Sequence, residues 1–121
     1  MAVKIDMEIT QTESDTVIVA FLSPSMSDVD AISTASSKIK DYVKAHRPRR
    51  LIFDFEVVRF FSSLLLGLLL EVRGEMSAYQ GEVLISGINP QLHRVFKITN
   101  LDKIFRFFQE RGEAVEAAKS D

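Results

Sequence analysis

The sequence predicts an α/β domain with a mixed central β-sheet flanked by helices, in the order β-β-α-β-α-β-α-β-α. Two β-rich segments open the chain and are separated only by a short polar turn, which indicates an antiparallel hairpin. After them, short apolar runs alternate with longer segments of helical periodicity. Such strand–helix–strand units make right-handed crossovers between parallel strands, so the middle of the sheet is predicted to be parallel. The length of 121 residues fits a single domain over residues 1–121.

The opening hairpin is predicted from two different apolar patterns. Residues 3–10 alternate apolar and polar side chains, which is typical of a strand with one face in water. Residues 16–22 are rich in β-branched side chains and almost continuously apolar, which indicates a more central strand. The short polar segment 11–15 between them is predicted to be a turn, and residues 23–27, which include Pro24, a loop.

The first helix is predicted to run to about His46, because Pro48 disfavours helical backbone in the residue before it. Either Ser27 or Asp28 supplies a side-chain oxygen to cap the first turn. Apolar positions recur at helical spacing and should face the core. They are Val29, Ile32, Ala35 or Ser36, Ile39 and Val43.

Residues 50–55 (RLIFDF) are predicted to be a short buried strand, and a second helix follows over residues 64–79. Ser62-Ser63 before this helix is a natural N-cap pair, and Gly81 after it is a natural end. The core-facing stripe of the helix is predicted to be Leu65, Leu68, Leu69, Val72, Met76 and Tyr79.

The final third of the chain is predicted to complete the sheet and its helical cover. Asn89 is placed to cap a helix whose first position is Pro90, where proline is well tolerated. Phe105 and Phe107 lie on one face of a strand and should be core. The predicted elements are a buried strand over 82–86, a short helix over 91–98, an edge strand over 104–107 and a helix over 111–118.

Composition excludes several classes of function. The chain has no cysteine, which rules out disulfides and thiolate zinc sites and is compatible with a reducing compartment. The net charge is −2 and no basic face is visible, so direct nucleic-acid binding is not expected. The longest apolar run, residues 64–70, is too short to span a bilayer, and residues 1–10 do not form a signal peptide. We expect a cytoplasmic location without membrane insertion.

Residue types that perform catalysis are present but are not arranged for it. His46 and His93 lie in different predicted elements, and neither has an acidic residue at ligand spacing. Asp54 and Glu56 form a carboxylate pair that is more simply a strand emerging into solvent or into a cap. The sequence contains none of the glycine-rich or nucleophile motifs of nucleotide-binding and hydrolytic enzymes. We therefore expect no enzymatic activity, no metal and no cofactor. Among the functions considered, a ligand-binding or enzymatic domain ranks below the two protein-binding functions described next.

The turn at Ser62-Ser63 is the feature that these exclusions leave. It joins a buried parallel strand to a helix N-terminus, where open α/β sheets concentrate their ligand and partner sites. The helix dipole and free N–H groups would stabilise a phosphate on a serine there, whereas a plain N-cap is the default use of such a serine. Leu66 and Leu70 share one helix face, so either neighbouring helices cover them or they form an apolar patch for a partner. They also make a homodimer worth testing.

The element order and this turn together resemble the STAS domain, the fold of anti-sigma-factor antagonists and of sulfate-transporter tails. The segments RLIFDF and VVRFF resemble the family's strand and loop before its motif DSSGLG, on which the hexapeptide SSLLLG falls. The segment GEVLI is similar to the strand that follows in the family. The segments PQLHRVF and TNLDKIF are similar to its closing stretch, and EAVEA to its end. The ordered series covers most of the chain.

Within the motif, Ser62 takes the place of the family's Asp, and Ser63 that of its phosphorylated Ser. Leu64 stands at the second Ser or Thr, Leu65 at the first Gly and Gly67 at the last Gly. The departures at Ser62, Leu64 and Leu65 alter the recognition surface and make it more apolar, as expected of a site kept for a protein contact.

The resemblance implies an anti-sigma-factor antagonist-like regulator of transcription. The dephosphorylated domain would bind a serine-kinase anti-sigma factor, which would phosphorylate Ser63, and a PP2C-type phosphatase would reverse this. The alternative is a STAS interaction module without phosphorylation, in a scaffold or transporter-associated complex, that assembles through the helix at 64–70. The predicted partner-binding residues are Phe61, Ser62, Ser63, Leu64, Leu66 and Leu70.

Overall fold

The computed structural model of the chain describes residues 7–12 and 15–120, with the backbone alone for Ser120. The predicted strand positions 3–6 and turn positions 13–14 lie outside the described residues. The strands are β1 (Met7–Gln11), β2 (Thr16–Phe21), β3 (Ser25–Met26), β4 (Arg50–Asp54), β5 (Phe60–Phe61), β6 (Glu82–Ser86) and β7 (Arg106–Phe108). The helices are α1 (Val29–His46), α2 (Ser63–Ser77), α3 (Pro90–Ile98) and α4 (Arg111–Ser120), with a 3₁₀ turn at Leu101–Lys103.

The main sheet has the strand order β1-β2-β4-β6-β7. β1 pairs antiparallel with β2, whereas β2, β4, β6 and β7 pair in parallel. Val17 lies opposite Leu51 and Leu51 opposite Val83, so one row of buried apolar side chains crosses three strands. The predicted mixed sheet, with its opening hairpin and parallel middle, is confirmed.

Each face of the sheet packs against its own helices. On one face, Phe53 stacks on Phe21 with ring centroids 5.7 Å apart, and Phe55 meets Phe21 edge-on at 5.4 Å. Buried side chains of α1, α2 and α3 close this larger core, among them Ile32, Ile39, Leu65, Leu69, Val72, Leu92 and Phe96. On the other face Ala114 of α4 packs with Ile18, Ile52 and Leu84.

A small second sheet lies where the sequence predicts only connections. β3 pairs in parallel with β5, and Met26 lies opposite Phe61. The carbonyl of Pro24 holds this pair together, since it accepts a hydrogen bond from the N–H of Arg59 at 2.7 Å. The predicted loop over residues 23–27 is therefore wrong where β3 forms. Two-residue strands are too short to show the alternation by which strands are recognised.

Several predicted boundaries also shift. Val29 was predicted to be core but is 62% exposed, because it is the first residue of α1 and precedes the turns that pack on the sheet. The edge strand predicted over 104–107 forms at β7 instead, so the buried Phe105 precedes the strand and Phe107 is half-buried within it. α2 ends before Tyr79, although that ring still packs against the core.

At Asp54 the strand was predicted to emerge into solvent or into a cap, and the structure excludes the first alternative. Its carboxylate is 3% exposed and accepts a hydrogen bond from Nε of Arg111 at 2.9 Å. The N–H of Glu56 also donates to it, at 3.2 Å. Gly87 passes so close, with φ +70°, that a Cβ there would lie 2.8 Å from the Asp54 carboxylate. Asp54 therefore joins the end of β4 to the first residue of α4.

The burial of α2 can be tested with two adjacent leucines. Leu65 is fully buried, so we expect Leu65→Ala to lower the free energy of unfolding by about 2–5 kcal/mol. Leu64 is 47% exposed, so Leu64→Ala should change it by no more than about 0.5 kcal/mol. Urea unfolding followed by circular dichroism measures both variants, and equal losses would contradict this packing of α2.

Candidate functional site

The turn between β5 and α2 is held in place by the core beneath it. Phe61 is buried and packs edge-on against Phe55 and Phe96, with ring centroids 5.9 and 6.0 Å away. The N–H of Ser62 donates to the carbonyl of Met26 at 3.0 Å, which continues the pairing of the small sheet. The start of α2 is therefore fixed relative to the loop that leads into α1. Phe61, predicted to bind a partner, is instead the internal anchor of the site.

Ser62 stands at the N-cap position of α2 but does not cap it. Its backbone is extended, and its side chain makes no capping hydrogen bond. Its Oγ is buried and has no hydrogen-bond partner among the described residues. A buried polar group without a partner costs about 1–3 kcal/mol, so this hydroxyl lowers stability rather than raising it. The predicted N-cap pair is thus wrong in its capping, although the helix begins where the pair predicts.

Asp28 and Asn89 cap their helices in the ordinary way. Oδ1 of Asp28 accepts from the N–H of Ala31 at 2.8 Å, which confirms it as the cap of α1. Oδ1 of Asn89 accepts from the N–H of Leu92 at 2.9 Å at the start of α3. The Asn89 amide also donates to the carbonyl of Val58 at 3.3 Å, so α3 helps to hold the segment before β5.

Ser63 is exposed and is the first residue of the 15-residue helix α2. The first N–H groups of a helix lack intrahelical acceptors, and the helix dipole gives this end a partial positive charge. The first turn of α2 contains no acidic residue that would oppose an added anion. A phosphate on the Ser63 hydroxyl would therefore meet a favourable local field.

The three leucines predicted to bind a partner do not lie together. Successive residues of a helix are about 100° apart, so Leu64 and Leu66 point to opposite flanks of α2. Leu64 faces α1, whereas Leu66 is half-buried against the core. Of the two alternatives left open for Leu66, the structure favours cover over an exposed patch. Leu70 is 39% exposed and lies on the same flank as Leu66.

Leu64 instead meets residues of α1 that the sequence assigns to the core or to the solvent, and not to a site. A groove of about 300 Å³, here called the α1–α2 groove, runs between the two helices beside Ser63. Nζ of Lys40 and Oε2 of Glu71 are 2.6 Å apart across it. The groove is lined by Val29, Ile32, Ser33, Ser36, Ser37, Lys40, Leu64, Leu68 and Glu71.

Phe60 is an exposed residue beside this turn that the sequence did not assign to the site. It is 56% exposed, because successive residues of a strand point to opposite sides and Phe61 takes the buried side. The adjacent pair Phe60-Phe61 is the sequence signal for this exposure, because two neighbouring strand residues cannot both point into the core. Phe60, Ser63, Leu64 and Val29 together are here called the turn surface.

Both histidines and Tyr79 are occupied in packing away from this turn. His46 stacks on Tyr42 with ring centroids 4.1 Å apart, and His93 packs on Phe107 at 4.5 Å. Burial raises the pKa of the Tyr79 phenol, and the nearby Arg47 offsets only part of that rise. This ring lies beyond the end of α2 that is opposite Ser63. Within residues 7–12 and 15–120, His, Asp and Glu side chains do not gather in threes where a metal could bind.

The helices in the described part of the chain do not combine the length and apolar content needed to cross a bilayer.

The mixed sheet and its four helices define a small α/β domain, and comparison with known proteins gives the family. The family model described as "STAS domain" matches residues 6–114, so the chain belongs to the STAS domain family. The predicted family and fold are both confirmed.

Solved structures show the same fold at low sequence identity. An anti-sigma-factor antagonist (STAS) domain protein from Planctomyces limnophilus superposes with a TM-score of 0.83 at 20% identity, covering 96% of this chain and 98% of that one. The Bacillus cell-fate determinant SpoIIAA in its phosphorylated form gives 0.75 at 20% identity, with 93% and 98% covered. A sulfate transporter family protein from Wolinella succinogenes gives 0.70 at 16% identity, with 92% and 88% covered.

The contrast between a capping and a non-capping residue can be tested by stability. Asp28→Ala should lower the free energy of unfolding by about 1 kcal/mol, because it removes the acceptor for the Ala31 N–H. Ser62→Ala should leave it unchanged or raise it, because the deleted hydroxyl is buried without a partner. Thermal and urea unfolding measure both, and a loss in Ser62→Ala as large as in Asp28→Ala would contradict this description of the turn.

Proposed function

We propose that residues 1–121 form one STAS domain that acts as an anti-sigma-factor antagonist-like regulator and binds a serine-kinase anti-sigma factor through the turn surface. The observation that carries this proposal is the exposure of Ser63 at the first position of α2, between the exposed side chains of Phe60 and Leu64. The kinase supplies the chemistry, so the chain is a substrate and binding partner rather than an enzyme. Its place of action is the cytoplasm.

The turn surface has the composition expected of a protein interface. Aromatic and large aliphatic side chains supply most of the binding energy in such interfaces, and they cluster where a partner excludes water. Phe60 and Val29 are 56% and 62% exposed, so each has apolar area left to bury. A rigid base favours binding, because little conformational entropy is then lost on association. Phe61 and the small sheet supply that base.

Phosphorylation of Ser63 would switch this contact off. A phosphate adds nearly two negative charges and considerable bulk in the middle of the turn surface. The helix start stabilises the phosphorylated chain, while an apolar partner surface that fits the free hydroxyl loses its contact. A PP2C-type phosphatase would restore binding. The phosphorylated form of SpoIIAA among the similar structures supports such a switch here.

A STAS interaction module without phosphorylation is the second candidate. Leu64, which takes the place of a hydroxyl residue in the family motif, is the observation that favours it, together with the similarity to a sulfate transporter family protein. In that role the turn surface binds its partner constitutively, in a scaffold or a transporter-associated complex, and Ser63 stays unmodified.

Intact-mass spectrometry separates the two candidates. The chain is incubated with ATP and each serine-kinase anti-sigma factor encoded in the same genome, and we expect the added mass of one phosphate. Ser63→Ala should remain unmodified, whereas Ser77→Ala, at an exposed serine at the other end of α2, should be modified like the wild type. A kinase that binds the chain but adds no phosphate, or that modifies Ser63→Ala equally, would rule out the switch.

The effect of the charge on binding is measured separately. We expect Ser63→Asp to weaken kinase binding about tenfold or more in isothermal titration calorimetry, because it places a carboxylate inside the interface. Ser77→Asp is the matched control and should bind like the wild type. Unchanged binding of Ser63→Asp would place the interface away from the turn surface and refute the proposed binding mode.

A further inference from the structure

We infer that the α1–α2 groove receives a segment of a protein partner that carries one large apolar side chain next to a basic residue. This inference rests on the proposed function only in that the same side of the molecule meets a partner. It assigns the groove a role of its own, which the Ser63 hydroxyl does not fill. The residues that carry it are Val29, Asp30, Leu64 and the Lys40–Glu71 pair.

The apolar part of the groove is open to solvent at Val29 and Leu64. Val29 and Leu64 are 62% and 47% exposed, and both line the groove. Beneath them, Ile32 and Leu68 are 5% and 1% exposed, so they provide an apolar floor. Burying a large apolar side chain against such a floor is favourable in proportion to the area removed from water.

The size of the groove favours a side chain over a free small molecule. Its volume of about 300 Å³ is at the lower end of the range for ligand pockets. Single apolar anchors that fill small pockets are typical of protein–protein contacts. Exposed hydroxyls of Ser33 and Ser37 on the α1 side can hydrogen-bond to the backbone of a bound segment.

Charge decides what accompanies the apolar anchor. Lys40 is the one basic residue among the groove's lining residues, and its ammonium group is paired with Glu71 at 2.6 Å. Asp30 follows Val29 directly in the first turn of α1 and is exposed. The charges of Lys40 and Glu71 offset each other within the groove. Exposed Asp28 and Asp30 stand on either side of Val29 in the sequence, so the start of α1 next to the groove is acidic and attracts a basic residue of the partner.

A second copy of this chain also presents a basic residue beside an exposed apolar side chain, at Lys97-Ile98, where Ile98 is 73% exposed. That segment ends α3, whereas the groove lies between α1 and α2, so two copies would join by unlike surfaces. Contacts between unlike surfaces that do not close into a ring give open polymers. We therefore assign the groove to a different protein and leave self-docking as an outcome of the test.

The test selects short random peptides displayed on phage against the immobilised chain, with no kinase present. We expect the selected peptides to share a large apolar residue next to Lys or Arg, and their binding to weaken as salt concentration rises. Val29→Ser and Leu64→Ser should each reduce the affinity of a selected peptide about tenfold. Asp30→Asn should reduce it about threefold. Ile98→Ser, an equally polar change on α3, should bind like the wild type.

Other outcomes overturn the inference. The inference fails if no peptides are enriched, or if the enriched peptides carry acidic instead of basic flanking residues. It also fails if peptide binding survives both Val29→Ser and Leu64→Ser in variants whose circular dichroism is native. Sedimentation showing polymers that Ile98→Ser abolishes would assign the groove to a second copy. A kinase that needs Phe60 and Ser63 but ignores Val29→Ser and Leu64→Ser would refute the groove, and it would confine the proposed kinase contact to Phe60 and Ser63. Peptides that behave as expected while no kinase binds would refute only the proposed function.

Discussion

The burial of Phe61 is the constraint on which the rest of this site depends. Its ring packs between Phe55 and Phe96, and its backbone pairs with Met26 in the small sheet. Because neighbouring strand residues point to opposite sides, burying Phe61 turns Phe60 outward. The strand β5 ends at Phe61, and α2 begins two residues later at Ser63. The same pairing holds the loop before α1 against this turn, which brings Val29 to the groove that Leu64 lines. One buried ring thus positions the turn surface, whose residues come from the start of α1, from β5 and from the start of α2.

The turn is rigid where Phe61 packs in the core, but the helix start at Ser62 is only weakly stabilised. Asp28 and Asn89 satisfy the first N–H groups of their helices, whereas Ser62 leaves those of α2 without a side-chain cap. An uncapped helix start keeps its backbone N–H donors available to an anion. Natural proteins often have lower stability at their functional sites than the fold would allow. The Ser62 hydroxyl, buried without a partner, is the clearest local sign of this trade. This accords with the proposal that the neighbouring Ser63 accepts a phosphoryl group on its hydroxyl oxygen.

Much of the fold could be predicted from the sequence because the long elements have clear periodicity. The helices around Ile39 and Val72, and the buried strands around Ile52 and Leu84, were each predicted from apolar spacing alone. The small sheet could not, because two residues per strand show no period. Nor could the burial of Asp54, since its partner Arg111 lies 57 residues away. Long-range pairing of this kind leaves no mark on the local pattern.

The start of α2 was predicted correctly, but the exposure of the residues around it was not. Ser62-Ser63 marked the start of α2 correctly, because a parallel strand end followed by a leucine-rich helix is visible in the sequence. The sequence grouped Leu64 with Leu66 and Leu70, whereas the helical rotation separates Leu64 from both. Val29 was assigned to the core because its spacing fits the apolar stripe of α1, and only the observed helix start leaves it exposed.

In the proposed function a protein partner covers the turn surface. Hydrogen–deuterium exchange of the chain with and without a bound serine-kinase anti-sigma factor tests this most directly. We expect slower exchange on binding in two segments, residues 60–68 around the start of α2 and residues 28–34 at the start of α1. Slower exchange confined to α3, β7 or α4, with these two segments unchanged, would contradict it.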